Sequence, residues 1–158
     1  MKKFLDTSLN IFQKEWALVT AGTMENYNTM TIGWGGLGTL WRKPVCTVYV
    51  KPCRYTHSFM DANDYFTVSF FSDEYRGALS VLGTKSGRDG DKVAEVGFTA
   101  VAAGESVTFK EAKTTLLCKK IYRQDMCLDA MPADAIEKYY TEEAPHTMFI
   151  GEVIDIIE

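Results

Sequence analysis

The most informative part of the chain is the stretch Asn28-Thr29-Met30-Thr31-Ile32-Gly33-Trp34-Gly35-Gly36, NTMTIGWGG. Apolar side chains alternate with threonines, which predicts a strand with Thr29 and Thr31 on one face and Met30 and Ile32 on the other. The glycines that follow predict a turn. Hydroxyls, strand-edge N–H groups and bare backbone suit a planar polar ring that lies close to the chain. A solvent-facing strand, in which threonine is also favoured, is the alternative interpretation.

Patterns of the same kind occur on both sides of this stretch. Glu25-Asn26 suits a hairpin turn, and Lys43-Pro44 is expected to break the chain. Helical spacing, caps and a well-placed proline predict short helices at residues 55–63, 72–83, 91–97 and 132–140. Alternation and β-branched runs predict about seven strands, at residues 16–22, 27–34, 45–50, 65–71, 106–112, 114–126 and 146–158. This order favours a mainly β protein, a closed or nearly closed antiparallel barrel with inserted short helices, over a doubly wound parallel sheet.

Length and composition limit the classes of function. The 158 residues are 46% hydrophobic and 24% charged, which predicts one soluble globular domain over residues 1–158. The formal net charge of −4 and the absence of a basic patch argue against nucleic acid as a partner. The opening residues resemble neither a signal peptide nor a membrane span, so no membrane association and a cytoplasmic location are expected. Four cysteines, at spacings that match neither a zinc site nor a C-x-x-C motif, predict free thiols and no metal site.

Two segments combine the groups that bind anions. The loop TKSGRDGDK, residues 84–92, supplies cations, a hydroxyl and flexible backbone through Lys85, Ser86, Gly87, Arg88 and Lys92. The segment KPCRYT, residues 51–56, places Arg54 at a strand end and Thr56 at a helix start. A phosphate is one predicted ligand of each segment. The alternatives are a solvated loop for the first, and a helix cap with a surface ion pair for the second.

His146 begins the last predicted strand, and a structural role is the simpler interpretation of a lone histidine. The sequence contains no paired-carboxylate motif, no H-E-x-x-H motif and no serine or cysteine placed to suggest a triad with His146. No catalytic side chain is therefore assigned. The reaction is expected to come from a bound cofactor, or the protein is not a catalyst.

The order of these motifs resembles the flavin reductase-like, FMN-binding split-barrel family, which includes flavoredoxin-type proteins. The matching segments are NTMTIGWGGLGTLWRKP, TVYVKPCRYTHSF, DYFTVSFF, EYRGALSVLGTKSGRDGDKVAEVGF and HTMFIGEV. They run from about Trp16 to the end of the chain, and the segment between Cys127 and Thr141 is the least like the family.

The resemblance implies a split antiparallel β-barrel that forms a homodimer, with FMN near the subunit interface. It implies that the NTMTI strand lies along the flavin ring, that the Arg54 segment holds the ribityl phosphate, and that His146 lies near the flavin or the nicotinamide. The implied cofactor-binding residues are Asn28, Thr29, Met30, Thr31, Ile32, Arg54, Tyr55, Thr56, Ser69, Phe70, Phe71, Ser86, Gly87, Arg88, Lys92 and His146.

Three functions are compatible with that resemblance. The first is a flavin reductase that transfers hydride from NADH or NADPH to flavin N5. The second is an electron-transfer flavoprotein that serves a redox-protein partner, and the third is a non-catalytic split barrel that holds a ligand. The sequence has no dinucleotide fingerprint, so a nicotinamide is expected to bind in an open cleft beside the flavin.

Overall fold

The computed structural model describes residues 9–158, and it consists mostly of antiparallel β-structure. The nine strands are β1 (Ala17–Thr23), β2 (Asn26–Ile32), β3 (Gly35–Leu40), β4 (Lys43–Val50), β5 (Tyr65–Phe70), β6 (Ala100–Ala103), β7 (Ser106–Phe109), β8 (Thr114–Asp125) and β9 (Thr147–Ile157). The helices are α1 (Ile11–Glu15), α2 (Tyr55–Ala62), α3 (Arg76–Thr84), α4 (Lys92–Glu95) and α5 (Ala133–Tyr139), with 3₁₀ turns at Asp73–Tyr75 and Leu128–Ala130.

Seven strands form one sheet in the order β2-β1-β5-β8-β9-β4-β3, and β6 and β7 form a separate hairpin. The two edge strands, β2 and β3, are joined through only Gly33 and Trp34. Such a short link requires the first and last strands of the sheet to come together at one end, so the sheet must curl. The predicted antiparallel barrel with helical insertions is confirmed, and its opening lies between β2 and β3.

Two apolar clusters stabilise this arrangement. The first fills the inside of the curled sheet and contains Val19, Val48, Phe66 and Phe149, each no more than 1% exposed. The second lies on the other face of β1, where Leu18 packs with α3 and with aromatic side chains near the β6–β7 hairpin. β1 is therefore buried on both faces, which explains the continuous apolar run in its sequence.

The structure corrects two expectations about secondary structure and contains further elements that were not predicted. The glycines after Gly33 do not form a turn, because Gly35, Gly36 and Gly38 belong to β3. Pro44 does not break the chain, because it lies near the start of β4, opposite Thr39. The strands β3 and β6 and the helix α1 had no counterpart in the sequence prediction.

The two-residue turn between β3 and β4 has positive φ at Trp41 (52°) and Arg42 (61°). This is the backbone of a type I′ turn. The sequence does not predict this turn, because neither residue is Gly or Asn.

The cysteines agree with the prediction of free thiols: Cys46 and Cys118 are buried, and Cys53 and Cys127 are exposed. Within residues 9–158, no group of three or more His, Cys, Asp or Glu residues is arranged to hold a metal ion. None of the helices in that part of the chain is both long and apolar enough to cross a membrane. The expectation that the opening residues form neither a signal peptide nor a membrane span concerns in part residues 1–8, which lie outside the described residues.

Candidate functional site

A cavity of about 350 Å³ lies where β2 meets the end of β4 and the start of β9. We call it the β2 pocket. Its walls come from three separate parts of the chain and consist of Met30, Thr31, Ile32, Gly33, Trp34, Tyr49, Lys51, Cys53, Arg54, Glu143 and His146. Five of the sixteen residues implied by the resemblance line this pocket: Met30, Thr31, Ile32, Arg54 and His146.

Pairing of β4 with β9 brings these parts together. Val50 is opposite Thr147 in the register. Lys51 follows Val50 and His146 precedes Thr147, so the two residues leave the sheet at the same end. The pocket therefore unites side chains that are more than ninety positions apart in sequence.

Both faces of β2 are covered by protein. Met30 and Ile32 lie in the core. The Thr29 hydroxyl is buried, 2.8 Å from the Thr20 hydroxyl, and donates to the carbonyl of Val19 at 3.2 Å. The Thr31 hydroxyl donates to the carbonyl of Leu79 in α3. The expectation that threonine hydroxyls face a flavin is therefore corrected, because protein groups already use both.

What β2 offers to the pocket is its free edge. Within residues 9–158, β2 is the terminal strand of the sheet, so alternate N–H and C=O groups on its outer side have no ladder partner there. These groups form a row of hydrogen-bond donors and acceptors along one wall. The bare backbone of Gly33 continues this wall, and the pocket's aromatic side chains lie beside it.

The glycine at position 35 makes room for protein rather than for a ligand. A Cβ on Gly35 would lie 2.9 Å from the Phe12 ring and 2.9 Å from the carbonyl oxygen of Thr47. This close approach explains the glycine in β3 without any cofactor.

Two cations line the β2 pocket. Arg54 donates from Nη2 to the carbonyl of Gly83 at 2.7 Å, which leaves its other guanidinium donors available. Lys51 forms an ion pair of 2.5 Å with Glu143, whose carboxylate is the one acidic group among the described residues of the lining. The excess of positive charge favours an anionic group on the ligand.

Lys92 holds the end of α3 in place. Its side chain is 5% exposed, and Nζ donates to the carbonyls of Leu82 at 2.8 Å and Lys85 at 2.9 Å. Burial, together with the nearby charge of Arg54, lowers the pKa of Lys92 to about 8. Lys92 and Arg54 thus satisfy three carbonyls at the C-terminal end of one helix, where cations are favoured.

The other basic side chains of the 84–92 loop also have protein partners. Arg88 stacks on the ring of Tyr55 at 4.8 Å and donates to the carbonyl of Cys53. Lys85 forms an ion pair with Glu95, and Ser86 accepts from the backbone N–H of Arg88. The loop is therefore ordered by its own contacts, without requiring a bound anion.

His146 is held between aromatic side chains. Its ring lies 5.2 Å from the Trp34 ring, and Nδ1 is 2.8 Å from the Tyr140 hydroxyl. Burial, reinforced by the charge of Lys51, lowers the pKa of His146 to about 4. The imidazole is neutral at pH 7, so with Tyr140 donating to Nδ1 the remaining proton lies on Nε2.

The remaining predicted residues lie outside the β2 pocket. Asn28, Tyr55, Gly87 and Lys92 line a separate cavity of about 340 Å³, where the Asn28 amide donates to the buried Thr56 hydroxyl at 2.8 Å. Gly87 is required there, since a Cβ would lie 2.1 Å from the Asn28 amide oxygen.

The last two residues of β5 and the residue that follows are buried in the interior. Ser69 bonds to the hydroxyls of Thr108 and Thr115, Phe70 packs on Phe12, and Phe71 stacks on Phe98.

A Thr–His–Asp arrangement elsewhere does not constitute a hydrolytic site. His57 Nε2 is 2.8 Å from the Thr147 hydroxyl, and Nδ1 is 3.5 Å from Asp61. Thr147 is completely buried and donates to Asp125. A substrate cannot reach this hydroxyl, so the network ties α2 to β8 and β9.

The β2 pocket contains six residues that the sequence did not single out as site residues: Gly33, Trp34, Tyr49, Lys51, Cys53 and Glu143. Lys51 had a detectable signal, because it lies in the same KPCRYT segment as Arg54. Trp34 had no signal of a ligand contact in the sequence; it is 45% exposed and packs edge-on against Tyr139. Glu143 lies between the 127–141 segment and the HTMFIGEV segment, where the sequence shows no recognised motif.

Solved structures share this fold at low sequence identity. Flavoredoxin from Methanosarcina acetivorans superposes with a TM-score of 0.73 and 20% identity, covering 91% of this chain and 68% of that chain. Flavoredoxin of Desulfovibrio vulgaris (Miyazaki F) gives 0.71 and 23%, covering 90% and 68%. An FMN-binding protein from Thermus thermophilus with bound 1-cyclohex-2-enone gives 0.70 and 18%, covering 90% and 69%.

The sequence comparisons assign the family. No curated protein matches this chain significantly. The model of the flavin reductase like domain, however, matches residues 9–158, which include every strand and helix described above. The chain therefore belongs to the flavin reductase like domain family.

Proposed function

We propose that this chain is an FMN-dependent oxidoreductase and that the β2 pocket holds the cofactor. The observation that carries the proposal is the meeting of a free strand edge, aromatic walls and two cations in one cavity of about 350 Å³. FMN combines a planar ring with hydrogen-bonding edges and a phosphate, and each part has a chemically matched wall. The volume is within the range of small-molecule sites.

The residues of the pocket have separate roles in this proposal. The outer edge of β2 donates and accepts hydrogen bonds along the ring, and Trp34 and His146 keep water away from one side of it. Arg54 and Lys51 bind the phosphate, with Arg54 able to form two parallel bonds. When bound, FMN accepts hydride at N5 and supplies the redox chemistry. The protein orients the ring and neutralises charge, and no side chain is needed as an acid in the hydride step.

The electron donor is proposed to be NADH or NADPH, which would reach the flavin on the side of the β2 pocket that carries Lys51 and Arg54. The test is the visible spectrum of purified protein with FMN, followed by anaerobic addition of each nicotinamide. We expect a flavin spectrum shifted from that of free FMN and rapid bleaching by one of the two nicotinamides. A bound flavin that is reduced by dithionite but by neither nicotinamide would contradict the reductase. Failure to bind FMN would contradict the cofactor assignment.

A second candidate is an electron carrier for a basic redox protein. It is favoured by the carboxylates on and near α5, next to the β2 pocket: Asp129, Asp134, Glu137, Glu142 and Glu143. Lys138 is the one basic residue between positions 127 and 145. Opposite charge on a partner would speed its encounter with this side of the protein. The dithionite-only outcome above would favour this function.

We also propose that the chain forms a homodimer through exposed apolar side chains at one end of the sheet. Trp41 is 63% exposed at the β3–β4 turn, and Ile154 and Ile156 are exposed at the end of β9. Because Val45 pairs with Glu152, these residues lie at the same end of the sheet. Exposed apolar groups gathered in this way are typical of an interface.

Sedimentation velocity tests this interface. The wild-type protein is expected to sediment as a dimer, and Trp41→Ser is expected to weaken self-association by at least about tenfold, as for the loss of a central aromatic anchor. Met24→Ser removes a different exposed apolar side chain and serves as the matched control. A wild-type protein that remains monomeric at all concentrations would overturn this proposal.

A further inference from the structure

A second and larger cavity adjoins the β2 pocket. It measures about 540 Å³ and lies between α1, the Gly33–Gly35 connection and the segment from Met126 to Tyr140. We call it the α5 cleft. It shares Gly33, Trp34 and Tyr49 with the β2 pocket. A molecule in the cleft would therefore lie against the same residues as a ligand in the pocket.

The walls of the α5 cleft are apolar and rich in polarisable groups. Phe12, Trp34 and Tyr139 supply aromatic rings, and Met126 and Met131 supply thioethers. Rings and thioethers pack well against a flat aromatic molecule, and methionine adapts to its outline. The side-chain hydrogen-bonding groups are those of Asn10, Gln13, Trp34 and three tyrosines.

The two cavities differ in the charge of the side chains that line them. No Asp, Glu, Lys, Arg or His is among the described residues that line the α5 cleft. The β2 pocket, in contrast, contains Lys51, Arg54 and Glu143. A pyrophosphate or carboxylate placed in the cleft would lose its hydration without gaining a cation. The cleft therefore favours an uncharged ligand over a nicotinamide dinucleotide.

One hydrogen bond connects the two cavities. The Tyr140 side chain lines the cleft, and its hydroxyl is 2.8 Å from Nδ1 of His146, which lines the pocket. Burial raises the pKa of Tyr140, so the phenol keeps its proton at pH 7 and is a donor. This proton is donated to His146, so a carbonyl oxygen of a ligand in the cleft would be met by other donors of the lining, such as the side-chain amides of Asn10 and Gln13.

We propose that the α5 cleft binds a flat, uncharged quinone that accepts electrons from FMN in the β2 pocket; the acceptor role, but not the binding, rests on the proposed function. In the balanced step, dihydro-FMN gives two electrons and two protons to the quinone and returns to FMN, while both carbonyls of the quinone become hydroxyls. The α5 cleft positions the quinone, and the shared Gly33 permits close approach of the two ring systems.

Binding is tested by NMR on protein with ¹³C-labelled methionine methyl groups, with menadione as the probe. We expect saturable shifts of the Met126 and Met131 methyls, both with and without FMN. A naphthoquinone sulfonate of similar size is expected to bind at least about tenfold more weakly, because its charge would be buried without a partner. Absence of saturable shifts, or equal affinity for the sulfonate, would overturn the proposal.

Two alanines of α5 give a matched pair of variants. Ala135 lines the cleft, whereas Ala133 is exposed on the same helix and does not. Ala135→Phe is expected to weaken menadione binding by about tenfold or more, and Ala133→Phe by less than about twofold. An unchanged affinity in Ala135→Phe would contradict this location.

Two further outcomes are distinguishable. Methyl shifts that follow protein concentration rather than menadione would mean that a second copy covers the cleft, which overturns ligand binding there. FMN affinity is measured separately from the flavin spectrum. If FMN does not bind but menadione does, the proposed function fails and the binding site stands.

Discussion

Replacing Arg54 with alanine is expected to weaken FMN binding by about 1.5–3 kcal/mol, the range for a hydrogen bond to a charged group. That loss corresponds to a dissociation constant roughly 10- to 150-fold higher. Arg54 lies in the wall of the β2 pocket, and one bond to the Gly83 carbonyl already fixes its guanidinium. A fixed guanidinium loses little further freedom when it binds a phosphate. Titration of apoprotein with FMN, followed by absorbance or fluorescence, measures the change.

Two variants separate a phosphate contact from a general effect. Arg88→Ala removes a nearby guanidinium that stacks on Tyr55 and does not line the β2 pocket. It is expected to leave the dissociation constant within about twofold, as for a side chain outside the site. Arg54→Lys keeps the charge and loses the fork, so an intermediate affinity is expected. Thermal unfolding of each variant shows whether loss of the Gly83 bond has altered the fold.

The Lys92→Ala variant is expected to differ most from Arg54→Ala in its effects on stability and FMN affinity. Both of its known bonds go to carbonyls at the end of α3, so Lys92→Ala is expected to reduce stability more than FMN affinity. If Lys92→Ala weakens FMN binding more than Arg54→Ala does, the phosphate belongs to the 84–92 loop. An Arg54→Ala variant that is folded and binds FMN normally would show that Arg54 does not contact the phosphate.

Local sequence patterns were sufficient to predict the strand at residues 28–32 and to predict which of its side chains face the core. The alternation that places Met30 and Ile32 in the core is a property of one strand. The partner of Thr29 was not predictable in the same way, because Thr20 lies opposite it only in the β1–β2 pair. The hydroxyls therefore suggested a ligand when they in fact bond to protein.

The glycines of β3 led to the wrong prediction of a turn, for a different reason. Glycine clusters are common in turns, and the Cβ space at Gly35 is taken by Phe12, a residue of a helix that the sequence did not predict. The pocket itself depends on long-range pairing. Arg54 and His146 were both identified as candidates, but their meeting with Lys51 and Glu143 follows from the β4–β9 register.

The pH dependence of the free energy of unfolding tests whether water reaches His146 in the wall of the β2 pocket. The pKa of His146 falls from 6.5 to about 4 in the folded protein because the ring is buried. Between these values the unfolded chain binds more protons than the folded one, so stability is lost as the pH falls from 6.5 to 4. At about 1.4 kcal/mol for each pH unit the unscreened contribution would be about 3 kcal/mol. Because His146 is only half-buried, solvent screening reduces the expected contribution to about 1–2 kcal/mol.

Urea unfolding of FMN-free protein at several pH values from 7 to about 4, a span set by the two pKa values, measures this loss. Carboxylates titrate in the same window, so the comparison is with His146→Asn, which cannot gain the proton and keeps an acceptor for the Tyr140 hydroxyl. The wild type is expected to lose about 1–2 kcal/mol more than the variant over that span. Parallel curves would mean that His146 is solvated. Water would then reach the wall that is proposed to shield the flavin, and the pocket would hold FMN through Arg54, Lys51 and the β2 edge.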